Sequence, residues 1–168
     1  KIAQVVGPEK TEQHLLGVFI GLSQDDIWGV RKACAEAIVD FSEAVTEDVR
    51  HGKLFQAFDR FKGDMSRWVR VAAYQALGSF IYTYKNDTRG VKAELLKYFT
   101  EMPFAQDSSS SESDLSEYCA WSFPAVVAAV GPSRWHELED AFLALVRDVQ
   151  WKVRKSLSHS LHEIAKIV

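Results

Sequence analysis

Apolar residues recur along this chain at the spacing of amphipathic α-helices, and the pattern repeats. Three segments begin at Asp25, Asp64 and Asp148, and each carries Val-Arg five residues after its Asp. Counted from that Val, apolar or small residues recur at +3, +4, +7, +8, +11 and +15, which is typical of one helix face. These predicted helices, the B helices, have the stripes Val30, Ala33, Cys34, Ala37, Ile38, Phe41 and Val45; Val69, Ala72, Ala73, Ala76, Leu77, Phe80 and Tyr84; and Val153, Ser156, Leu157, Ser160, Leu161, Ile164 and Val168.

A second apolar pattern precedes each Asp and predicts a partner helix, the A helix. Its positions are Leu15, Phe19 and Leu22; Leu54, Phe58 and Phe61; and Leu138, Phe142 and Leu145. A fourth pair lies between the second and last copies, with Leu95, Phe99 and Met102 in its A helix and Leu115, Cys119, Phe123, Val127 and Val130 in its B helix. The B stripes begin at 30, 69, 115 and 153, a spacing typical of HEAT or armadillo repeats.

The repeat predicts an all-α protein, a HEAT-repeat α-α superhelix (solenoid) of about four helical hairpins. We expect one solenoid fragment over 1–168, in which 1–6 end a preceding helix and the repeats span 9–45, 48–84, 88–130 and 132–168. Gly7-Pro8 and Gly131-Pro132 mark helix boundaries, since Gly tolerates positive φ and Pro suits a first helical turn. Pro124 inside the third B helix predicts a kink.

Composition narrows the function classes. Of 168 residues, 47% are apolar and 26% charged, as in an ordinary globular protein. Apolar runs such as 15–22 are far shorter than the ~20 residues of a membrane span, so no membrane partner is expected. A net charge of -3 argues against binding to a nucleic-acid backbone, which favours basic domains. We therefore expect protein partners.

Motifs for catalysis or cofactor binding are absent from the sequence. It contains no GxSxG, P-loop, GxGxxG or HExxH pattern, so it predicts no enzyme, no catalytic residue and no cofactor. Cys34 and Cys119 have no CxxC or Cys/His cluster around them, which excludes a disulfide framework and a structural zinc site. His159 and His162 share a helix face, but two ligands do not make a metal site, and none is predicted.

The turns between A and B helices are the predicted binding surface, because the apolar stripes are occupied by the core. In three repeats the turn carries Asp, Trp and basic residues. The Asp and Arg could form a ladder that stacks the repeats, and the Trp could anchor its own turn. Alternatively, exposed Trp and Arg could be interface hot spots. The candidate partner-binding residues are Trp28, Arg31, Lys32, Arg67, Trp68, Arg70, Trp151, Lys152, Arg154 and Lys155.

The third repeat has a different turn, an acidic, serine-rich loop over 105–114. Ser109 and Ser111 are each followed three residues later by an acid, a context for phosphorylation that would add about -1.5 to -2 charges per site. The alternative is a solvated flexible loop.

Several of these segments resemble one known family. GPEKTEQHLL, DDIWGVRKACAEAI, SRWVRVAAYQALGSFI, EYCAWSFPAVVAAVG and DVQWKVRKSL are similar to HEAT repeats of the protein phosphatase 4 regulatory subunit 1 family. The resemblance implies a non-catalytic subunit that binds the phosphatase 4 catalytic subunit and directs it to substrate proteins. It also implies contact through the turns, as in the scaffold subunit of protein phosphatase 2A.

The chain departs from the family in one segment. Members of the family carry a long acidic segment where this chain has only 105–114, so functions that depend on that segment are not implied. The other interpretations are a HEAT-repeat adaptor or transport receptor for other proteins, and a nucleic-acid-binding HEAT module, which the acidic third turn disfavours.

Unpaired cysteines suit a reducing compartment, and the expected location is cytoplasmic and/or nuclear.

Overall fold

A computed structural model of the chain describes residues 5–104 and 115–168, and within these ranges the regular elements are all helical. The chain divides into two compact units, Lys1–Ala76 and Leu77–Val168, which are described one at a time. Paired helices in both units confirm the predicted all-α class. The exact repeat boundaries stay a prediction.

Two helices of the first unit each consist of three consecutive segments. Helix α1 consists of the consecutive segments Pro8–Lys10, Thr11–Leu15 and Leu16–Leu22, and helix α3 consists of Glu47–Val49, Arg50–Leu54 and Phe55–Lys62. The middle segment of each has π-helical bonding, so the N–H of Leu16 donates to the carbonyl of Thr11 and that of Phe55 to the carbonyl of Arg50. The two π segments begin 39 residues apart. The first two repeats therefore also share this π-helical hydrogen bonding, which the spacing of apolar residues does not predict.

Helices α2 (Trp28–Ser42) and α4 (Arg67–Tyr82) follow α1 and α3, as predicted for B helices. The second unit begins within α4, at Leu77. The core contains the fully buried Phe58 and Phe61, and the rings of Phe19 and Phe41 stack with centroids 4.4 Å apart.

Part of the predicted core stripe in this unit is wrong. Ala33, Ala37 and Leu22 are exposed, whereas Ala35 is buried. The reason is that a helix buries the side that its neighbours cover, and in α2 the covered side carries Ala35 and Ile38. No described helix of the first unit covers the opposite edge of the stripe.

A buried arginine closes the connection between α2 and α3. The guanidinium of Arg50 donates to the carbonyl of Ser42 and that of Val45, both at 3.0 Å. These carbonyls lie at the end of α2, where helical partners run out. The N–H of Thr46 donates to Glu12 Oε1 at 2.6 Å, which ties the same connection to α1. This network fixes where one helical pair ends and the next begins.

The second unit contains α5 (Ala93–Glu101), which continues as a 3₁₀ turn at Met102–Phe104, then α6 (Leu115–Val130), a 3₁₀ segment at Pro132–Glu137, α7 (Glu139–Val146) and α8 (Trp151–Ile164). Helix α6 runs through Pro124 without a break, and a bend at Pro124 stays a prediction. The Phe123 ring lies 5.7 Å from Phe99 and 5.7 Å from Phe142, at the centre of the core. Leu161 and Val168, predicted to be buried, are exposed, whereas Val153, Leu157 and Ile164 of the same stripe are buried.

Both predicted Gly-Pro boundaries are confirmed by backbone geometry. Gly7 has φ 83° before Pro8, and Gly131 has φ 75° before Pro132. Such φ values favour glycine, and proline fits the first position of the next helix because its missing N–H has no helical partner there.

Candidate functional site

Three turns, at 25–32, 64–71 and 148–155, share one hydrogen-bond pattern, and we call them the Asp turns. In each, Oδ1 of the Asp accepts the N–H of the residue two positions later, which is Ile27, Ser66 or Gln150, at 2.8 Å. A short carboxylate can fold back on its own backbone in this way. Each Asp turn leads directly into α2, α4 or α8.

An arginine six residues after each Asp clamps the same turn. Arg31 Nη1 donates to the Asp25 carbonyl at 2.7 Å, Arg70 Nη1 to the Asp64 carbonyl at 2.8 Å, and Arg154 Nη1 to the Asp148 carbonyl at 2.5 Å. Each guanidinium also reaches the next carbonyl, at 3.0 or 3.1 Å. The turns are therefore rigid without help from a partner.

In the first unit, one ion pair joins two Asp turns. Arg31 donates from Nε to Asp64 Oδ2 at 2.7 Å and from Nη2 to Asp64 Oδ1 at 2.9 Å, a bidentate arrangement. The hydrogen bond to Arg31 is the main cause that lowers the pKa of Asp64, and the same bond raises the pKa of Arg31. This pair is one rung of the ladder considered from the sequence.

The three Trp side chains of the Asp turns lie partly in solvent. Trp28, Trp68 and Trp151 are between 48% and 61% exposed. The Arg67 guanidinium lies 4.6 Å from the Trp68 ring centroid and Lys155 Nζ lies 5.7 Å from that of Trp151, within cation–π range. Trp68 and Trp151 therefore contact a basic side chain of their own turn, and all three indoles keep about half of their surface in solvent.

A second large apolar side chain is exposed in each Asp turn, and the sequence analysis missed it. Ile27, Met65 and Val149 are between 64% and 98% exposed. They lie outside the helical stripes, so periodicity does not mark them. A usable signal was present, since a large apolar residue one or two positions after a turn Asp stands where polar residues are common. Each Asp turn thus presents an apolar pair.

The remaining predicted binding residues differ in their contacts and in their exposure to solvent. Lys32 forms an ion pair with Glu36, whereas Lys152 is exposed. The first unit contains Trp28, Arg31, Lys32, Arg67, Trp68 and Arg70, and the second contains Trp151, Lys152, Arg154 and Lys155. Ser109 and Ser111 lie outside the described residues.

Among the described residues, the acidic, histidine and thiol side chains are dispersed. In the described part of the chain no group of three or more His, Cys, Asp or Glu side chains could hold a metal ion. His162 Nε2 lies 3.9 Å from Glu163 Oε1. Cys34 and Cys119 are buried free thiols, and burial raises the pKa of each, which makes them poor nucleophiles. No described helix is long and apolar enough to cross a membrane.

Comparisons with known proteins agree with this architecture. The HEAT repeat family model matches residues 15–45, which contain the first Asp turn. The chain is 41% identical over 90 residues, or 54% of its length, to serine/threonine-protein phosphatase 4 regulatory subunit 1 of Mus musculus. It is 43% identical over 88 residues to that subunit of Homo sapiens. Residues 15–45 thus match a HEAT repeat, and about half of the chain is similar to phosphatase 4 regulatory subunit 1.

A second relative matches along almost the whole chain. Serine/threonine-protein phosphatase 4 regulatory subunit 4 of Mus musculus is 26% identical over 193 aligned positions, which cover 99% of this chain. The chain spans only 9% of the mouse subunit 1 and 22% of the mouse subunit 4. The similarity therefore concerns a small part of each relative's length.

Proposed function

We propose that this chain is a non-catalytic scaffold segment that binds the catalytic subunit of serine/threonine protein phosphatase 4 through its Asp turns. In this role it directs the enzyme to substrate proteins, and the hydrolytic chemistry belongs to the catalytic subunit. The observation that carries the proposal is the repeated apolar pair of the Asp turns in a chain similar to phosphatase 4 regulatory subunits.

Rigid presentation makes the Asp turns suitable for binding. Each turn is held by its Asp carboxylate and its Arg before any partner arrives. A partner therefore spends little free energy on ordering the loop, a cost that otherwise reduces affinity. Half-exposed Trp side chains are typical hot-spot residues, and truncation of one at an interface costs about 2 kcal/mol or more.

The charge of the turns indicates the chemistry of the bound surface. Arg67 and Lys155 lie against indole rings, and Lys152 is exposed, although the whole chain has a net charge of -3. A complementary surface would be apolar where it meets an exposed indole such as Trp68, and acidic around that contact. We also propose a cytoplasmic and/or nuclear location, which suits the two free cysteines.

A binding experiment with purified catalytic subunit tests the proposal. The chain is immobilised, and the dissociation constant is measured by biolayer interferometry for the parent and for a Trp28→Ala, Trp68→Ala double variant. We expect the double variant to bind about tenfold or more weakly, because each truncation removes a hot-spot side chain.

A matched control separates specific contact through the Asp turns from nonspecific binding by exposed aromatic side chains. Phe104→Ala removes an exposed aromatic side chain outside the Asp turns and should leave the affinity unchanged. Circular dichroism checks that all variants remain helical. Equal affinity of the parent and the double variant, or no binding by the parent, would contradict the proposal.

A further inference from the structure

The solvent-facing side of α8 carries a row of lysine and histidine side chains. They recur at the three- and four-residue spacing that places side chains on one helix face, and all of them are exposed. The other side of α8 is buried through Val153, Leu157 and Ile164. The members of the row, which we call the α8 row, are Lys152, Lys155, His159 and His162 of α8 and Lys166 in the turn that follows.

Positive charge is concentrated in this part of the chain. Residues 151–168 contain four lysines and arginines against one acidic residue, Glu163, which gives a net charge of +3 in a chain whose net charge is -3. Glu163 lies beside the row, with its Oε1 3.9 Å from His162 Nε2, and both side chains are more than half exposed. The segment therefore attracts negative charge although the chain as a whole is acidic.

The row lacks the intrahelical ion pair that is present at the matching position of the first unit. In α2, Lys32 pairs with Glu36, four residues later. Lys155 occupies the same place in its repeat, two residues after the Val of the Val-Arg pair, but the residue four positions later is His159. Within the part of the chain that the structure describes, no carboxylate forms an ion pair with any lysine of the row. The row therefore has cations whose charge no described side chain neutralises.

An indole ring adjoins one end of the row. Lys155 Nζ lies 5.7 Å from the centroid of the Trp151 ring, and Trp151 is 61% exposed. An ammonium above a ring keeps N–H donors for a carboxylate, and the exposed ring offers apolar contact beside it. One end of the row thus combines apolar with cationic chemistry, whereas the end at Lys166 is cationic.

We propose that the α8 row binds an acidic segment of a partner protein. Carboxylates of that segment pair with the lysines and accept hydrogen bonds from the imidazoles, and an apolar side chain at one end packs on Trp151. At about 1.5 Å per residue, the row extends roughly 20 Å along the helix axis, a length that about six extended residues cover. Its three lysines are far fewer than the six to ten or so phosphate contacts of a strongly salt-dependent nucleic-acid complex.

This surface goes beyond the contact proposed for the phosphatase. The row shares Lys152 and Lys155 with the third Asp turn, but His159, His162 and Lys166 lie outside it. Binding of the acidic segment does not depend on the catalytic subunit, and it can be measured with the chain alone.

Fluorescence anisotropy with a designed peptide tests the proposal. The probe is a fluorescein-labelled peptide of one leucine followed by six glutamates, and its control has glutamine in place of every glutamate. We expect the full chain to bind the Glu peptide at least about tenfold more tightly than the Gln peptide at low salt. His159→Glu gives Lys155 an intrahelical partner, as Glu36 does for Lys32, and should weaken binding about tenfold. Lys166→Gln should weaken it about threefold, whereas Lys166→Arg should retain it.

Two matched variants change the same charges at exposed positions elsewhere. Ala93→Glu at the start of α5 matches His159→Glu, and Lys53→Gln in α3 matches Lys166→Gln. Both should bind the Glu peptide like the parent, and circular dichroism checks that every variant remains helical. The proposal is overturned if the two peptides bind equally, or if the matched variants weaken binding as much as the row variants do, since binding would then follow net charge alone.

Other occupants of the row are tested with the same chain. Tighter binding of single-stranded DNA, or of vesicles containing equal parts of phosphatidylserine and phosphatidylcholine, than of the Glu peptide would overturn the proposal and assign the row to that ligand. None of these measurements uses the phosphatase, so their failure leaves the Asp-turn proposal standing. Conversely, loss of phosphatase binding in the Trp28→Ala, Trp68→Ala variant does not bear on the α8 row.

Discussion

Asp64 carries more of the Asp-turn structure than any neighbouring side chain described in the first unit. Its two carboxylate oxygens accept the bidentate fork of Arg31, one of them also accepts the Ser66 N–H, and its carbonyl accepts Arg70. Asp64 therefore serves its own turn and the preceding turn at once. A partner that contacts Trp28 and Trp68 depends on the geometry this residue maintains.

Replacing Asp64 by Asn isolates the charge in this network. The Asn carbonyl oxygen can still accept the Ser66 N–H, but it cannot receive the full Arg31 fork. We expect the free energy of unfolding to fall by about 1–2 kcal/mol, measured by urea denaturation. Asp26→Asn, which changes an exposed neighbouring carboxylate, should change it much less. An equal loss in both variants would contradict the assigned role.

The same pair predicts a pH dependence. Because Arg31 lowers the pKa of Asp64 in the folded chain, the pair stabilises the fold above the unfolded value of about 3.9. That contribution is lost as the pH falls from about 4 through the lower folded pKa, where the folded carboxylate also gains its proton. The difference in unfolding free energy between the parent and Asp64→Asn should therefore be constant from about pH 7 to 5 and shrink toward pH 3. A difference that persists unchanged at pH 3 would argue against an ionic contribution.

At the level of single residues, the sequence predicted the Asp and Arg contacts of the turns better than their exposed apolar side chains. The recurrence of Asp and Arg at fixed positions pointed to the ladder that Arg31 and Asp64 form. Met65 and Val149 were missed because amphipathic periodicity describes only residues that face the core. Exposure of a turn side chain depends on backbone direction in the turn, which apolar spacing does not encode.

Helix packing in the second unit depends on one missing side chain. A methyl group on Gly78 would overlap Ser122, whose Oγ also donates to the Tyr118 carbonyl at 2.7 Å. Gly78→Ala improves intrinsic helix propensity by ~1 kcal/mol, but α4 and α6 must separate to accept it. We expect a net destabilisation of about 1–3 kcal/mol, measured by thermal and urea unfolding.

A compensating variant tests that explanation directly. Adding Ser122→Gly to Gly78→Ala moves the position without a side chain from α4 to α6. The methyl group at position 78 then no longer overlaps a side chain at position 122. The double variant should recover most of the lost stability, less the ~1 kcal/mol that glycine costs inside a helix. If Ser122→Gly does not rescue Gly78→Ala, the close approach is not the source of the destabilisation.

Among elements, the helices were predictable, whereas the side of each helix that is covered was not. The apolar stripe predicted both partners of every described helix pair, and the Gly-Pro boundaries were confirmed by positive φ at Gly7 and Gly131. Ala37 and Leu161 were wrongly assigned to the core because a stripe is broader than the strip its neighbours cover. The π segments of α1 and α3 arise from local backbone bonding and leave no mark in apolar spacing.

For the whole molecule, the distribution of charge matters more than its sum. The net charge is -3, yet the predicted Asp-turn residues are cations and indoles, of which Trp28, Trp68 and Trp151 are about half exposed. A partner held by such turns gains from both apolar burial and ionic attraction. These two contributions respond differently to salt, since ions screen exposed charges and leave apolar contact largely intact.

Salt dependence therefore separates the classes of partner. For the phosphatase 4 catalytic subunit, we expect the dissociation constant to rise about threefold to tenfold between about 0.05 and 0.5 M NaCl and then level off, because apolar contact remains when the charges are screened. An Arg67→Ala, Lys152→Ala, Lys155→Ala variant should bind more weakly at low salt and converge on the parent at high salt. A nucleic-acid partner would instead show a steep linear fall of log affinity with log salt, governed by the number of phosphates neutralised. Affinity that does not change with salt in the parent would show that the turn cations do not face the partner, and would leave the indoles and their apolar neighbours as the whole of the contact.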